Sequence, residues 1–375
     1  EIAMAEPESP VVVEGEEADL AGVVVSPVVV EAEGHAGAGR ADFPEVRPRL
    51  EFREDGSFII CQFTDVHFKN GEDRDLQTIR IINETLDRVQ PDLVVLTGDI
   101  IHGEVLHGNE QLECLKLVAK PMEQRKIPWA AIFGNHDDGE GKAERNKEDM
   151  MAALTSGDFA MTQRGPKDIS GVGNYHLAVH RRGTNAAAAV LYFVDSGTLA
   201  PAPPLGPGGY AWVEPDQIEW FKKEAQKNTA RWGTGDGGAK TPLPSLLFLH
   251  IPLPEYQNLW DMGVAVGHRR EPISCPKRNT GLFTALRPAG VKGVFCGHDH
   301  VNDFEGELEG VKLCYGRVTG WPDDNRVSTK GMFQRGARVI RLQQDAPSFD
   351  TWLRVDGTEE DYRHTQAKDG KCVVC

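Results

Sequence analysis

Short apolar runs alternate with amphipathic stretches from Phe58 to Phe133. The run Phe58–Phe63 predicts a buried strand, and the stretch Asp73–Gln90 predicts a helix that Pro91 ends. The apolar positions expected on the buried face of this helix are Leu76, Ile79, Ile82, Leu86 and Val89. The next predicted elements are a strand, a helix and a strand at Asp92–Thr97, Asn109–Gln124 and Pro128–Phe133. This β-α-β-α-β order predicts parallel strands joined by right-handed crossovers.

In the second half of the chain, predicted strands follow one another more closely. Helices are predicted at Lys142–Thr155 and, after the proline- and glycine-rich connector Pro201–Gly209, at Glu214–Asn228. The predicted strands are Asn174–Val179, Ala186–Val194, Ser245–Leu249, Val291–Phe295, Val311–Tyr315 and Ala337–Leu342. Their close spacing indicates a second sheet packed on the first. We therefore expect an α/β fold with two packed mixed sheets flanked by helices.

Both ends of the chain differ in composition from its middle. Residues 1–48 are rich in Pro, Glu, Gly and Ala around two near copies of Ser-Pro-Val-Val-Val-Glu, at Ser9–Glu14 and Ser26–Glu31. With so much acid and proline between them, the valines have little to pack against, and we expect a disordered extension. Residues 49–345 are expected to form one domain, and residues 346–375 a polar tail that ends with Cys372 and Cys375.

Acidic residues outnumber basic ones by 57 to 41, which gives a formal charge of −16. This balance argues against a nucleic-acid polymer as the partner, because binding its phosphates requires clustered Lys and Arg. A small phosphorylated substrate remains compatible with this charge if bound metals supply positive charge.

No apolar run approaches the roughly 18 residues of a transmembrane helix. A secreted, vacuolar or other endomembrane location after removal of a leader, a cytoplasmic location, and the oligomeric state all stay open.

Metal-binding side chains follow five of the predicted strands. They are Asp65 and His67, Asp99, Asn135 and His136, His250, and His298 and His300. Because ligands of such sheets gather beyond the carboxyl ends of the strands, we expect these side chains to meet in one place. Carboxylate oxygens and imidazole nitrogens suit Zn, Mn or Fe, and the absence of Cys from this set argues against a structural zinc site.

Asp99 follows Gly98, and an aspartate at such a turn can bridge two metals through its two oxygens. Two metals about 3.5–4 Å apart clamp the attacking and leaving oxygens of an in-line displacement at phosphorus. A water between them becomes the nucleophile. The ligand set therefore indicates a catalytic pair of metals.

Five ordered blocks resemble those of the calcineurin-like metallophosphoesterases. They are Phe63–His67, Thr97–Asp99, Gly134–Asp137, His250–Pro252 and Gly297–His300. Other stretches are similar to the small single-domain purple-acid-phosphatase-like proteins of plants and algae, and to related fungal phosphatases. These stretches include Leu50–Phe58, Leu191–Gly197, Phe248–Glu255 and Gly297–Phe304. The resemblance covers the chain from about Leu50 to Leu342 and implies an α-β-β-α sandwich with a dinuclear metal centre.

The resemblance also implies a role for each ligand residue. One metal is implied to bind Asp65, His67, Asp99 and His300, and the other Asp99, Asn135, His250 and His298. His136 is implied as the group that steadies the transition state or protonates the leaving oxygen. Asp137 and Asp299 are the two candidates for the partner that orients it.

Two positions depart from the purple acid phosphatases proper. Those enzymes carry a tyrosine that binds ferric iron three residues after the bridging aspartate, where this chain has His102, and a glycine where it has His67. We therefore expect no purple charge-transfer band, and a pair of Zn, Mn or Fe(II) ions. His102 is either an additional ligand or a substrate contact at the pocket rim. We favour the contact, because His67 already supplies an imidazole.

Arg269 and Arg270 are the candidate substrate contacts in the long segment Leu253–Asn279, which follows a metal ligand. A guanidinium offers bidentate geometry to phosphate oxygens, and a solvated charge cluster is the alternative interpretation.

Hydrolysis of phosphomonoesters is the expected function. The alternatives are a phosphodiesterase acting on nucleotides or other small diesters, and a regulatory or binding protein of the same fold with weak catalysis.

Overall fold

The computed structural model describes residues 47–235, 239–322 and 333–364. Nearly all of the predicted N-terminal extension, and both terminal cysteines, lie outside these ranges. The helices are α1 (Asp73–Val89), α2 (Asn109–Gln124), α3 (Lys147–Leu154), α4 (Pro215–Trp232), α5 (Glu255–Asp261) and α6 (Leu282–Leu286). The strands are β1 (Ser57–Phe63), β2 (Leu93–Thr97), β3 (Trp129–Ile132), β4 (Tyr175–His180), β5 (Ala187–Phe193), β6 (Ser245–Phe248), β7 (Val291–Cys296), β8 (Glu305–Leu308), β9 (Val311–Tyr315), β10 (Gly336–Gln343) and β11 (Phe349–Val355).

The strands form two sheets. Sheet I has the order β11-β10-β1-β2-β3, and sheet II has the order β4-β5-β6-β7-β9-β8. The strands β1, β2 and β3 are parallel, as predicted, and so are β5, β6, β7 and β9. The remaining strands pair antiparallel at the outer parts of the two sheets. Both sheets are therefore mixed.

Three apolar layers hold the sheets and helices together. The layer between the sheets contains Phe193, Phe248 and Phe295, which are register partners on β5, β6 and β7. Their rings stack with centroids 5.3 and 5.4 Å apart. A second layer packs α1–α3 on sheet I, and a third packs α4–α6 on sheet II. This arrangement confirms the predicted α-β-β-α sandwich.

Strand β10 does not join the second sheet, although the close spacing of the predicted strands had suggested that it would. Strand β10 pairs antiparallel with β1 of sheet I, and β11 pairs with β10. Sheet I thus continues past residue 345 into the segment predicted to be a polar tail. The alternation of Thr351, Leu353 and Val355, all of which are buried, is the local signal for this strand.

Helix α1 has nearly the predicted bounds, but its buried face differs from the prediction. Leu76 is 62% exposed, whereas Ile81, Ile82 and Leu86 are buried together with two threonines. The stripe predicted from apolar spacing therefore included one residue, Leu76 in the first turn, that is exposed to solvent. Within the described ranges, no helix has both the length and the apolar character needed to cross a membrane.

Candidate metal centre

The predicted ligands lie at one edge of the sandwich, where the carboxyl ends of parallel strands from both sheets meet. Asp65, Asp99, His250 and His298 each stand two residues after the last residue of β1, β2, β6 and β7, and Asn135 stands three residues after β3. Strand ends from two sheets therefore supply one site. This is the convergence that the sequence predicted.

Tight turns aim these side chains inward. Asp65, His67, Asp99 and His298 all have positive φ angles, of 52°, 48°, 49° and 77°. This left-handed conformation costs a non-glycine residue about 1–3 kcal/mol and is concentrated at functional sites. Gly98 is required for close packing, because a Cβ there would lie 2.6 Å from Nδ1 of His250.

The first ligand group consists of Asp65, His67, Asp99 and His300, whose ligand atoms all lie within 4.8 Å of one another. The Nε2 atoms of His67 and His300 are 3.2 Å apart. The distance from Nε2 of His67 to Oδ2 of Asp99 is 3.6 Å, as is that from Nε2 of His300 to Oδ1 of Asp65. Ligands bound to one zinc at about 2.0–2.2 Å have similar separations.

The second ligand group consists of Asp99, His250 and His298, with Asn135 beside them. Nε2 of His250 lies 3.1 Å from Oδ2 of Asp99 and 3.2 Å from Oδ1 of Asn135. The other ring nitrogen of His250, Nδ1, lies 2.8 Å from the carbonyl oxygen of Thr97. A hydrogen bond donated there leaves Nε2 facing the ligand group, which is the arrangement expected of a metal-binding imidazole.

Unpartnered buried atoms test whether these residues fit a metal pair. Oδ2 of Asp99 and both ring nitrogens of His298 are buried without a hydrogen-bond partner. Such atoms are costly unless a ligand satisfies them. Burial also lowers the pKa of His67 and His298 well below the usual value, so both rings are neutral and able to bind metal. The donor set fits two metals that share Asp99.

His136 stands at the edge of both groups. Its backbone N–H donates to Oδ1 of Asp99 at 2.8 Å, and its Nδ1 lies 2.5 Å from Oε1 of Glu104. Although burial opposes protonation, the carboxylates of Asp99 and Glu104 raise the pKa of His136 to about 9. These two carboxylates therefore favour the protonated form of His136.

Glu104, which the sequence analysis missed, is the carboxylate that contacts the imidazole of His136. The two predicted candidates have other roles. Asp137 accepts hydrogen bonds from the backbone N–H groups of Ile100, Ile101 and Gly134, which holds two of the ligand turns together. Asp299 accepts one from the hydroxyl of Tyr315. Nothing in the local sequence distinguishes Glu104, because its contact depends on the approach of two separate loops.

His102 is absent from both ligand groups but forms a further group of potential ligands with Glu104 and His136. Its Nε2 is 3.5 Å from Oε2 of Glu104, and its ring centroid is 5.3 Å from that of His136. Both roles considered for His102, an additional ligand and a substrate contact, stay predictions.

Arg269 and Arg270 have aromatic neighbours. The guanidinium of Arg269 lies 5.6 Å from the ring centroid of Trp260, and that of Arg270 lies 5.2 Å from the ring centroid of Phe333. Their predicted contact with a substrate phosphate also stays a prediction. A second residue that the sequence analysis missed is Tyr210, whose ring centroid lies 4.3 Å from that of His298.

Residues 58–302 match the family described as calcineurin-like phosphoesterase. This chain belongs to the calcineurin-like phosphoesterases. It is 32% identical over 342 residues to the Arabidopsis thaliana protein named "Probable inactive purple acid phosphatase 29", covering 83% of this chain and 85% of that protein. It is 30% identical to the Saccharomyces cerevisiae protein named "Phosphatase DCR2", covering 84% of this chain and 56% of that protein.

These similarities confirm the resemblance that the five blocks indicated. A solved structure titled as a dimetal phosphatase from Danio rerio is also similar, with 15% identity and a TM-score of 0.48 over 78% of this chain and 98% of that one.

Proposed function

We propose that this chain hydrolyses phosphomonoesters with two bound metals, of which Zn, Mn and Fe(II) are the candidates. One observation carries the proposal: Asp99 belongs to both ligand groups, and His136 stands against it. A shared carboxylate with hard and borderline ligands suits a catalytic pair. An acid beside that pair suits an ester whose leaving oxygen needs a proton.

The chain's own residues contribute the positioning and the proton. When bound, the two metals would activate water and neutralise charge on the phosphoryl oxygens. Glu104 holds Nδ1 of His136, so the proton on Nε2 is the one available for transfer. As the bond between phosphorus and the leaving oxygen breaks, this proton passes to that oxygen, and an alcohol departs. Asp99 fixes the backbone of His136 and so sets where the imidazole stands.

Two alternatives share the same ligands. Diester hydrolysis needs the same metals and acid, and differs only in the pocket walls around the second ester group. A binding protein with weak catalysis is favoured by one finding, the word "inactive" in the names of several relatives. The complete ligand set and His136 favour the enzyme.

The experiment compares hydrolysis of an aryl phosphate monoester and the matching diester by the full chain loaded with Zn, Mn or Fe(II). Metal content is measured on the same samples. A variant with both Asn135→Ala and His136→Ala is the control. We expect monoester turnover that this variant loses. Turnover of the diester alone would favour the phosphodiesterase, and two bound metals without any turnover would favour the binding protein.

The colour of the iron-loaded protein tests the departure at His102. Without a tyrosinate at that position, loading with ferric iron is expected to give no purple charge-transfer band in the visible spectrum. A His102→Tyr variant is the matched comparison, because it places a phenol three residues after Asp99. A purple band in the unaltered chain would show that another tyrosine binds the iron.

A further inference from the structure

The connector before α4 carries a tyrosine to the metal centre. Leu199 and Tyr210 pair as an antiparallel bridge, and the backbone N–H of Ala200 donates to the carbonyl of Gly209 at 2.8 Å. These contacts close the loop between them. The ammonium of Lys277 also donates to the carbonyl of Pro207 at 2.9 Å. Tyr210 therefore lies on a loop whose two ends pair with each other and whose middle contacts Lys277.

Tyr210 packs against a ligand of the second group. Its ring is perpendicular to that of His298, at an interplanar angle of 89°. Its hydroxyl has no hydrogen-bond partner among the described residues. In contrast, the hydroxyl groups of Tyr175, Tyr256 and Tyr315 donate to Ala131, Val294 and Asp299 respectively. The half-buried phenol of Tyr210 therefore offers an unused donor beside the metal centre.

A phenol suits a phosphoryl oxygen. Its O–H can donate a hydrogen bond, whereas the ionised carboxylates of the ligand groups can only accept, and the non-bridging oxygens of a phosphoryl group are acceptors that need donors.

We propose that Tyr210 is a substrate-binding residue whose phenol donates a hydrogen bond to a non-bridging phosphoryl oxygen on the side of the second ligand group. The inference rests on the proposed function, because it requires a phosphoryl group between the metals and the pocket walls. Nothing in the local sequence marks Tyr210 for this role. Only the packing of the connector against His298 brings it there.

The test is Tyr210→Phe in the full, Mn-loaded chain. This change removes the hydroxyl and keeps the ring that packs on His298. Titration calorimetry with inorganic phosphate is expected to show about tenfold weaker binding, as for loss of a hydrogen bond to a charged group. KM for an aryl phosphate should rise by a similar factor, with unchanged metal content. Tyr192→Phe is the matched control, since that hydroxyl contacts Asn228 in the core, and it should leave phosphate binding unaltered.

The outcomes separate the two ideas. If the unaltered chain binds and hydrolyses phosphate compounds, and Tyr210→Phe binds phosphate equally tightly, the role of Tyr210 is overturned while the proposed function stands. If the Mn-loaded chain neither binds phosphate nor hydrolyses any ester, the proposed function fails and the role of Tyr210 fails with it. Weaker phosphate binding in Tyr210→Phe, with unaltered phosphate binding in Tyr192→Phe, supports the role of Tyr210 in binding substrate.

Discussion

The loop after β7 takes part in two clusters of histidine and aspartate. At its start, His298 and His300 belong to the two ligand groups. A few residues later, Asp303 meets His268 and His364 in a further set of potential ligands, called here the Asp303 cluster. The two clusters have similar residue types, but they differ in whether their buried polar atoms have hydrogen-bond partners.

In the Asp303 cluster the carboxylate is already satisfied. Oδ1 of Asp303 accepts from the backbone N–H of His268 at 2.8 Å, and Oδ2 accepts from the guanidinium of Arg317. Nε2 of His364 lies 3.0 Å from the carbonyl oxygen of Asp303. Arg317 supplies the positive charge that a metal would supply elsewhere. In the ligand groups, by contrast, buried atoms of Asp99 and His298 have no hydrogen-bond partner, and the neighbours of Oδ2 of Asp99 are imidazole nitrogens.

This difference shows that residue types alone do not define a metal site. A buried carboxylate paired with an arginine and backbone donors is already satisfied, whereas one that faces imidazole nitrogens without a cation indicates a place for metal. The Asp303 cluster fixes the end of the described C-terminal segment, at His364, to the loop that carries two ligands. The following predictions test this distinction.

The largest effect is expected from Asp99→Asn. In asparagine an uncharged NH2 group replaces one oxygen of the carboxylate that both ligand groups share. We therefore expect each metal to fall below one equivalent per chain. Hydrolysis of an aryl phosphate should fall by about 1000-fold or more. Metal analysis after desalting, with turnover on the same sample, checks this. Two equivalents of retained metal would contradict the shared role of Asp99.

Asp303→Asn should lower stability instead of metal content. Removing this charge leaves the buried guanidinium of Arg317 unpaired, which costs about 3 kcal/mol of unfolding free energy. Urea unfolding of the metal-loaded chain measures the change. Loss of one metal equivalent with unaltered stability would instead show that the Asp303 cluster holds a metal.

Glu104→Gln should reduce kcat about tenfold, because His136 loses its charged partner. Glu104 contributes to the raised pKa of His136, so the variant's pKa should be lower. Since His136 must be protonated to act, the high-pH limb of the activity profile should move to lower pH. Glu144→Gln, an exposed carboxylate beside His107, is the control and should leave the profile unchanged. An unmoved limb in Glu104→Gln would refute the pairing.

The smallest effect is expected from His364→Gln, at about 1 kcal/mol of unfolding free energy for one lost hydrogen bond. Burial lowers the pKa of His364, so the unfolded chain binds a proton more readily than the folded one. The unaltered chain should therefore lose stability as the pH falls below about 6.5, and the variant should lose less. Urea midpoints at pH 7.5 and 5.5 compare the two chains. Equal pH dependence would exclude His364 as the source.

Much of the fold and the ligand set follows from local patterns. The bounds of α2 agree with the prediction, and the strands ending before Asp65, Asp99, Asn135, His250 and His298 all exist. Strand and helix periodicity is local, so short windows of sequence carry it. Strand β10 was predicted in the second sheet and β11 was predicted to lie in a polar tail. Both predictions were wrong, because pairing between strands far apart in the chain has no local signature.

The sequence by itself determined which residues can bind metal, because ligand identity and spacing after a strand are properties of short segments. Tertiary structure alone decided that Glu104 pairs with His136, that Tyr210 packs on His298, and that Arg317 neutralises Asp303. Each of these contacts joins loops or strands distant in sequence. Their side chains meet only after both sheets have packed, so the charge balance of each cluster is a property of the folded chain.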